Sequence, residues 1–354
     1  MKNKILITFL LSLNIFNYSN GCTTFVINDN KGNIAFGRNF DFPIGLGHIQ
    51  INYKNMQKNS FIRPPETPLT WTSKYGSITF NQAGREFPYG GINEKGLVIE
   101  QMWLQEAHYP KLDERYGMSE LQWIQYQLDN SASVQEVIDS DSMIRISIFA
   151  TSSLHFLISD ANGNSATVEY IDGKMLIHQK DNLPFKVLTN NTYQDLISYK
   201  NNQDIKRQKN DKVWTNSSND RFMKTIELIK NTPESVDLID YSYLILDSVS
   251  QSNSTQWSIV YDIKNLRVYY KSSSNHTTQE IDLSTIDFSC KNKMLFIPIS
   301  ETYSSTESLK ELSYNDNFSL MNKVVEGIEF LRNNVPKEAV EASARYAESI
   351  ICKE

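Results

Sequence analysis

Cys22 is the residue of this sequence best placed for covalent chemistry, because of what precedes it. Lys2 and Lys4 give a positive start, Ile5 to Phe16 is mostly apolar, and Asn17 to Gly21 is a short polar stretch ending in a small residue. That order reads as a removable export leader over residues 1–21, and Ser19 supplies the small residue third before a cut after Gly21. Cleavage there makes Cys22 the first residue of the mature chain. An α-amine titrates near about 7.7 and a thiol near about 8.5, so one residue would hold both a general base and a nucleophile. Two other readings compete. A lipoprotein also carries a cysteine after its cut, but Ser19-Asn20-Gly21-Cys22 lacks the usual leucine at the first of these positions, and lipidation would consume the thiol. A buried N-terminal helix would need a polar face that the apolar run does not offer.

The elements that must position Cys22 begin beside it. Thr23 to Asn28 is strand-like, Asp29-Asn30-Lys31-Gly32 is a turn, and Asn33 to Gly37 resumes an extended pattern, so a hairpin starts at the new N-terminus. Arg38-Asn39-Phe40-Asp41-Phe42 continues it; polar and apolar residues alternate, so Arg38 and Asp41 need a bend between them to face one site. Tyr89-Gly90-Gly91 leads to the turn Asn93-Glu94-Lys95-Gly96 and a strand over Leu97 to Trp103. Helices are expected over Ser119 to Leu128 and Ser133 to Ile138, the latter opened by a capping box of Ser133 and Glu136. A meander follows over Leu154 to Ile158, Ser165 to Tyr170 and Lys174 to His178, then a strand over Phe185 to Leu188 ending at Thr189-Asn190. Arg221 reads as the start of a helix to Lys230, and Thr232-Pro233 as the cap of the next. A hairpin over Trp257 to Tyr261 and Arg267 to Tyr270, a strand over Met294 to Ile299, and helices over Ser319 to Asn333 and Lys337 to Cys352 complete the chain. With no compositional break or repeat, residues 22–354 are expected to form a single α+β domain, and the polar run Lys206 to Lys212 a surface loop or helix turn.

Composition narrows the classes of function. A formal net charge of -6 over 354 residues offers little to a phosphate backbone, so nucleic acid is not an expected partner. No segment after the leader approaches the roughly 20 apolar residues that span a bilayer, so membrane contact is expected only through export or a lipid anchor. His48, His108, His155, His178 and His276 are scattered, and no glycine-rich phosphate loop is present, so neither metal nor cofactor is expected. Three cysteines make no disulfide framework, and Cys290 and Cys352 read as small buried residues of core elements.

Cys22-Thr23-Thr24-Phe25, Gly37-Arg38-Asn39-Phe40-Asp41-Phe42, Gly91 to Leu97, Val187-Leu188-Thr189-Asn190 and Asp220-Arg221-Phe222 form an ordered set. Together they resemble the choloylglycine hydrolase and penicillin V acylase family of N-terminal-nucleophile hydrolases, over most of the mature chain. The resemblance implies a four-layer αββα fold and cleavage of a linear amide in a small-molecule N-acyl substrate such as a penicillin V-like amide or an N-acyl homoserine lactone. By the same resemblance Cys22 is the nucleophile, Arg38 lies near its sulfur, Asp41 holds the α-amine, Asn190 donates to the oxyanion and Arg221 joins the nucleophile network. Trp103 stands where bile-salt hydrolases have an asparagine; it can offer only its backbone N–H to the oxyanion, with its ring as a wall of the acyl pocket beside Phe25, Phe42 or Phe61. A conjugated bile-salt hydrolase and a non-catalytic, lipid-anchored binding protein of the same fold are the alternatives. The expected location is secreted or periplasmic, and a homo-oligomer is left open.

Overall fold

The hairpin that begins at Cys22 forms as expected and becomes the centre of a sheet. β1 (Thr23–Asn28) and β2 (Ile34–Asp41) pair antiparallel about the Asp29–Gly32 turn, where Gly32 takes a left-handed φ of 83°. The computed structural model describes residues 21–207 and 215–353, so the leader reading falls outside it except at Gly21, as do residues 208–212 of the polar run. Around the hairpin a six-stranded antiparallel sheet runs in the order β14, β1, β2, β15, β16, β17. Its other members are β14 (Val187–Leu188), β15 (Thr255–Asp262), β16 (Arg267–Ser272) and β17 (Asn275–Asp282).

A nine-stranded sheet faces it, ordered β13, β12, β11, β8, β7, β6, β3, β18, β19. These are β3 (His48–Asn52), β6 (Ser77–Asn81), β7 (Pro88–Asn93), β8 (Val98–Trp103), β11 (Leu154–Ser159), β12 (Ser165–Ile171), β13 (Lys174–Gln179), β18 (Leu295–Pro298) and β19 (Lys310–Glu311). Two small sheets lie outside: β9 (Tyr116–Met118) with β10 (Ile144–Ile146), and β4 (Met56–Asn59) between β5 (Thr70–Thr72) and β20 (Ile351–Cys352). Helix α1 (Glu120–Asn130), followed by α2 (Val134–Asp139), packs on β7 and β8. On the far side of the six-stranded sheet, α4 (Ser218–Lys230) and α5 (Leu238–Ser248) cover β1, β2 and β15, with α3 (Tyr193–Arg207) beside α4. The layers are thus α, β, β, α. A C-terminal group of α6 (Tyr314–Gly327), α7 (Glu329–Asn334) and α8 (Lys337–Tyr346) packs on itself.

Strand pleating divides β2 between two environments. Phe36, Arg38 and Phe40 lie opposite Tyr261, Ile259 and Trp257 of β15 and face the other sheet, where Phe80 stands 6.4 Å from Trp257 and 6.2 Å from Tyr261. Gly37, Asn39 and Asp41 face the helices instead; the Asn39 amide donates to Leu246 O of α5 at 2.7 Å. Gly37 has no room for a side chain, since the Phe25 ring lies 2.4 Å from where its Cβ would stand.

Several expected boundaries move for identifiable reasons. Arg221 does not start a helix: α4 is capped a turn earlier by Ser217, whose hydroxyl accepts from Asp220 N. Thr232-Pro233 caps nothing; Asp237 outcompetes it by accepting from both Ile239 N and Asp240 N. Ser133 caps α2 as expected, but Glu136 reaches Ala132 N rather than closing the box on Ser133. The last helix stops at Tyr346 so that the tail can return as β20 beside β4, and there Cys352 is disulfide-bonded to Cys290. The reading of these two cysteines as independent buried residues is therefore wrong. Their 62-residue separation hid a pairing that only the returning tail creates.

Candidate active site

Cys22 stands immediately before β1, and the register that sets Thr23 opposite Asn39 and Thr24 opposite Arg38 carries its side chain to the face between the sheets. The thiol is 6 % exposed. Arg38, on the same face, brings Nη2 to 3.8 Å from Sγ, with its guanidinium 5.2 Å over the Phe40 ring. Burial pushes the thiol pKa up; Arg38 is the largest opposing influence, with the Asp41 carboxylate adding to the rise and Arg221 opposing it.

Asp41 serves the opposite side of Cys22, so no bend is needed to bring it beside Arg38. Pleating turns its carboxylate toward the helix layer, where Thr255 donates to Oδ1 and Gln251 Nε2 donates to Oδ2 at 2.7 Å. The same Gln251 amide donates to Gly21 O at 2.9 Å, which ties Asp41 to the nitrogen side of Cys22 through one amide. Burial raises the Asp41 pKa against the hydrogen bonds from Thr255 and Gln251 and the charges of Arg221 and Arg38. β15 slips register between Thr255 and Trp257, opposite Asp41 and Phe40, which is where the sheet changes duty from core to site.

Asn190 and Trp103 meet on a third side. Asn190 follows β14 and is pinned by α4, its N–H donating to Ser218 Oγ at 2.8 Å. Its side chain is held at both ends: Arg221 Nη2 donates to Oδ1 at 2.9 Å, and Nδ2 donates to Trp103 O at 2.9 Å. The arginine thereby fixes which way the amide points and leaves the second Nδ2 hydrogen for another acceptor. Arg221 itself folds back over β1, with Nε donating to Thr23 Oγ1 at 3.1 Å and Nη2 to Cys22 O at 3.4 Å. Trp103 lies opposite Leu154 of β11, while the next residue, Leu104, donates its N–H to Ser153 O. Alternation points the Trp103 backbone groups the other way, beyond the place where β7 stops pairing with β8 at Glu100. Gly21 runs between these groups: a Cβ on it would stand 2.0 Å from Asn190 Oδ1 and 2.5 Å from Arg221 Nη2.

All six expected residues come together around Cys22, and strand pleating distributes the aromatic rings named with them over different faces. Pleating puts the Trp103 side chain on the opposite face of β8 from Glu100 and Met102, half-buried at the strand end. Phe25 is core beneath Gly37, and Phe61 packs on Phe87 and Tyr346. Phe42 remains, joined by Tyr89, which no residue-type signal had singled out. Tyr89 is the extra residue of a bulge, since Phe80 pairs with Gly90 and Asn81 with Pro88, and the bulge aims its ring 5.5 Å from Phe40 and 6.5 Å from Phe42. Also missed were Gln251 and Thr255, ordinary polar residues in the sequence, and Glu100. A carboxylate inside the apolar run Val98 to Trp103 was a legible signal, because such a group is buried only when paired.

Comparison with known proteins agrees with this geometry. The model of the linear amide C-N hydrolases, choloylglycine hydrolase family, matches residues 22–230, more than half of the chain. Penicillin V acylase of Pectobacterium atrosepticum is 28% identical over 319 residues, which cover 75% of this chain and 82% of that protein. The structure of penicillin V acylase from Agrobacterium tumefaciens superposes with a TM-score of 0.71 at 28% identity, covering 82% of this chain and 98% of the other. Conjugated bile acid hydrolase from Clostridium perfringens shares the fold, with a TM-score of 0.64 at 20% identity over 80% of this chain and 99% of its own.

Proposed function

The chain belongs to the choloylglycine hydrolase family of linear amide C-N hydrolases, and on that footing we propose that it hydrolyses N-acyl amides through a thioester on Cys22. The observation that carries this reading is the convergence on one buried cysteine of Arg38 at the sulfur, Asp41 on the nitrogen side, and a doubly tethered Asn190 amide beside the Trp103 backbone. Removal of Gly21 turns the Cys22 nitrogen from an amide into an amine and clears the space between Asn190, Arg221 and Gln251. The amine takes the thiol proton as sulfur attacks the acyl carbon. The oxyanion is met by the free Nδ2 hydrogen of Asn190 and the N–H of Trp103. Collapse expels the amine product, which receives that proton; the α-amine then activates water, and hydrolysis of the thioester frees the acid.

The half-buried rings of Phe42 and Tyr89, on the sulfur side, favour an aromatic or otherwise flat acyl group of the penicillin V kind over a bulky steroid. Export accords with the leader-like start and with the Cys290–Cys352 disulfide, a bond that persists in oxidising compartments. The buried position of the Cys22 thiol favours a free sulfur over a lipid anchor, which would need it at the surface. Steady-state kinetics on a phenoxyacetyl amide, a long aliphatic N-acyl amide and a glycine-conjugated bile salt test the reading. The phenoxyacetyl amide is expected to show the highest kcat/KM, a strong preference for the bile salt would overturn the substrate class, and turnover of none would overturn the activity.

A further inference from the structure

Arg38 reaches the sulfur with one guanidinium nitrogen and is anchored by the other. Nη1 donates to Tyr89 O at 3.0 Å and to the carboxylate of Glu100, and both side chains of this ion pair are almost wholly buried. The second oxygen of Glu100 accepts from the Tyr261 hydroxyl on β15. The arrangement is built into the backbone. Glu100 stands opposite Gly90, and a Cβ there would come within 2.0 Å of Oε2, so only glycine leaves space for the carboxylate. Around the thiol the fixed charges are Arg38 and Asp41 from β2 and Arg221 from α4, together with the α-amine of a mature Cys22. Around the Arg38–Glu100 pair stand Tyr261 from β15 and Tyr89 from β7, with Glu120 of α1 acting on Tyr89. Arg38 and Arg221 are thus set against Asp41 and Glu100, with Glu120 farther off beside Tyr89, and without Glu100 the guanidinium at Sγ would lose the carboxylate paired with it.

We propose that Glu100 is a positioning residue for the nucleophile: it holds the Arg38 guanidinium against Cys22 while offsetting its charge, and so sets how readily the thiol ionises. The proposal rests on the reading of Cys22 as a reactive thiol, and it extends that reading to a residue that touches neither sulfur nor substrate. Glutamine at position 100 keeps an acceptor for Arg38 and a partner for Tyr261 but removes the negative charge. Loss of a nearby negative charge makes a thiolate cheaper to form. The thiol pKa of E100Q should therefore fall. Phenylalanine at 261 acts oppositely, because it removes a hydroxyl dipole that damps the carboxylate's field. A role confined to packing would loosen both variants without opposed shifts.

The test is the pH dependence of Cys22 alkylation by iodoacetamide in the mature protein, followed by intact mass, with the thermal midpoint recorded for each variant. E100Q should lower the alkylation midpoint by at least about one pH unit, because a unit charge within about 10 Å at an effective dielectric of about 20 is worth about 1.7 kcal/mol or more, against about 1.4 kcal/mol per pH unit. Y261F should raise it by a few tenths of a unit. An E100Q midpoint at or above the wild-type value overturns the proposal. If E100Q does not fold, Y261F decides alone: a raised midpoint supports the proposal, and an unchanged or lowered one overturns it. Because alkylation needs no amide substrate, failure of the amidase reading would show in the kinetics while this titration still gave its answer.

Discussion

At the scale of single residues, the site separates tasks that many hydrolases give to several side chains. Sulfur and nitrogen of Cys22 face different environments because β2 is pleated: Arg38 and Asp41, three residues apart, fall on opposite faces of one strand. Cys22→Ser should keep the fold and lose nearly all amide turnover, since a hydroxyl is a far poorer nucleophile beside the same amine. Turnover by C22S at near wild-type rate would sink the thiol mechanism. Asn190→Ala removes an oxyanion donor that every acyl group needs, so kcat should fall by roughly a hundredfold or more whatever the substrate. Phe42→Ala should instead change the ratio of kcat/KM between a phenoxyacetyl and a long aliphatic amide, and an equal loss on both would show that this ring does not select.

At the scale of elements, β3 carries a titrating group far from this chemistry. His48 is 8 % exposed against the Phe296 ring, and burial lowers its pKa to about 4. A depressed folded pKa means the unfolded chain takes the proton first. The stability that His48 contributes is present above about pH 6.5 and is lost as pH falls through about 4. His48→Gln should flatten the pH dependence of urea stability across that window by roughly 1–3 kcal/mol, and an unchanged slope would contradict the burial argument. β3 itself went unread in the sequence, as did α3. Its residues Tyr193 to Arg207 are mostly polar with little apolar periodicity, so the local cap at its start, Thr192 Oγ1 accepting from Asp195 N at 3.2 Å, had no apolar stripe behind it to mark a helix, and a tertiary bond from Tyr193 N–H to Glu169 Oε1 at 2.9 Å adds to it. The first hairpin, β8, the meander and α1 were legible because local turn and cap chemistry agreed with their period. Tyr89, Gln251 and Thr255 were not, since a bulge and two cross-strand contacts give them their positions.

At the scale of the whole molecule, the C-terminal residues are tied to the body twice, by β20 on β4 and by the Cys290–Cys352 disulfide. Closing a loop with a sequence separation of 62 should stabilise by about 4 kcal/mol in the chain-entropy picture, so Cys352→Ser should lower urea stability by about that amount without changing kcat. An unchanged stability would mean that packing alone secures the tail. The remote placement of this bond also accords with a catalytic centre that depends on the other terminus. Everything proposed for Cys22 requires that the chain start there and that its sulfur carry the acyl group. The most direct test is intact and peptide mass spectrometry of the exported protein, acid-quenched during turnover of a phenoxyacetyl amide. The thioester mechanism predicts a chain beginning at Cys22 with a phenoxyacetyl increment on its N-terminal peptide. Turnover by a chain that retains Gly21, or an acyl group found on any residue other than Cys22, would contradict it.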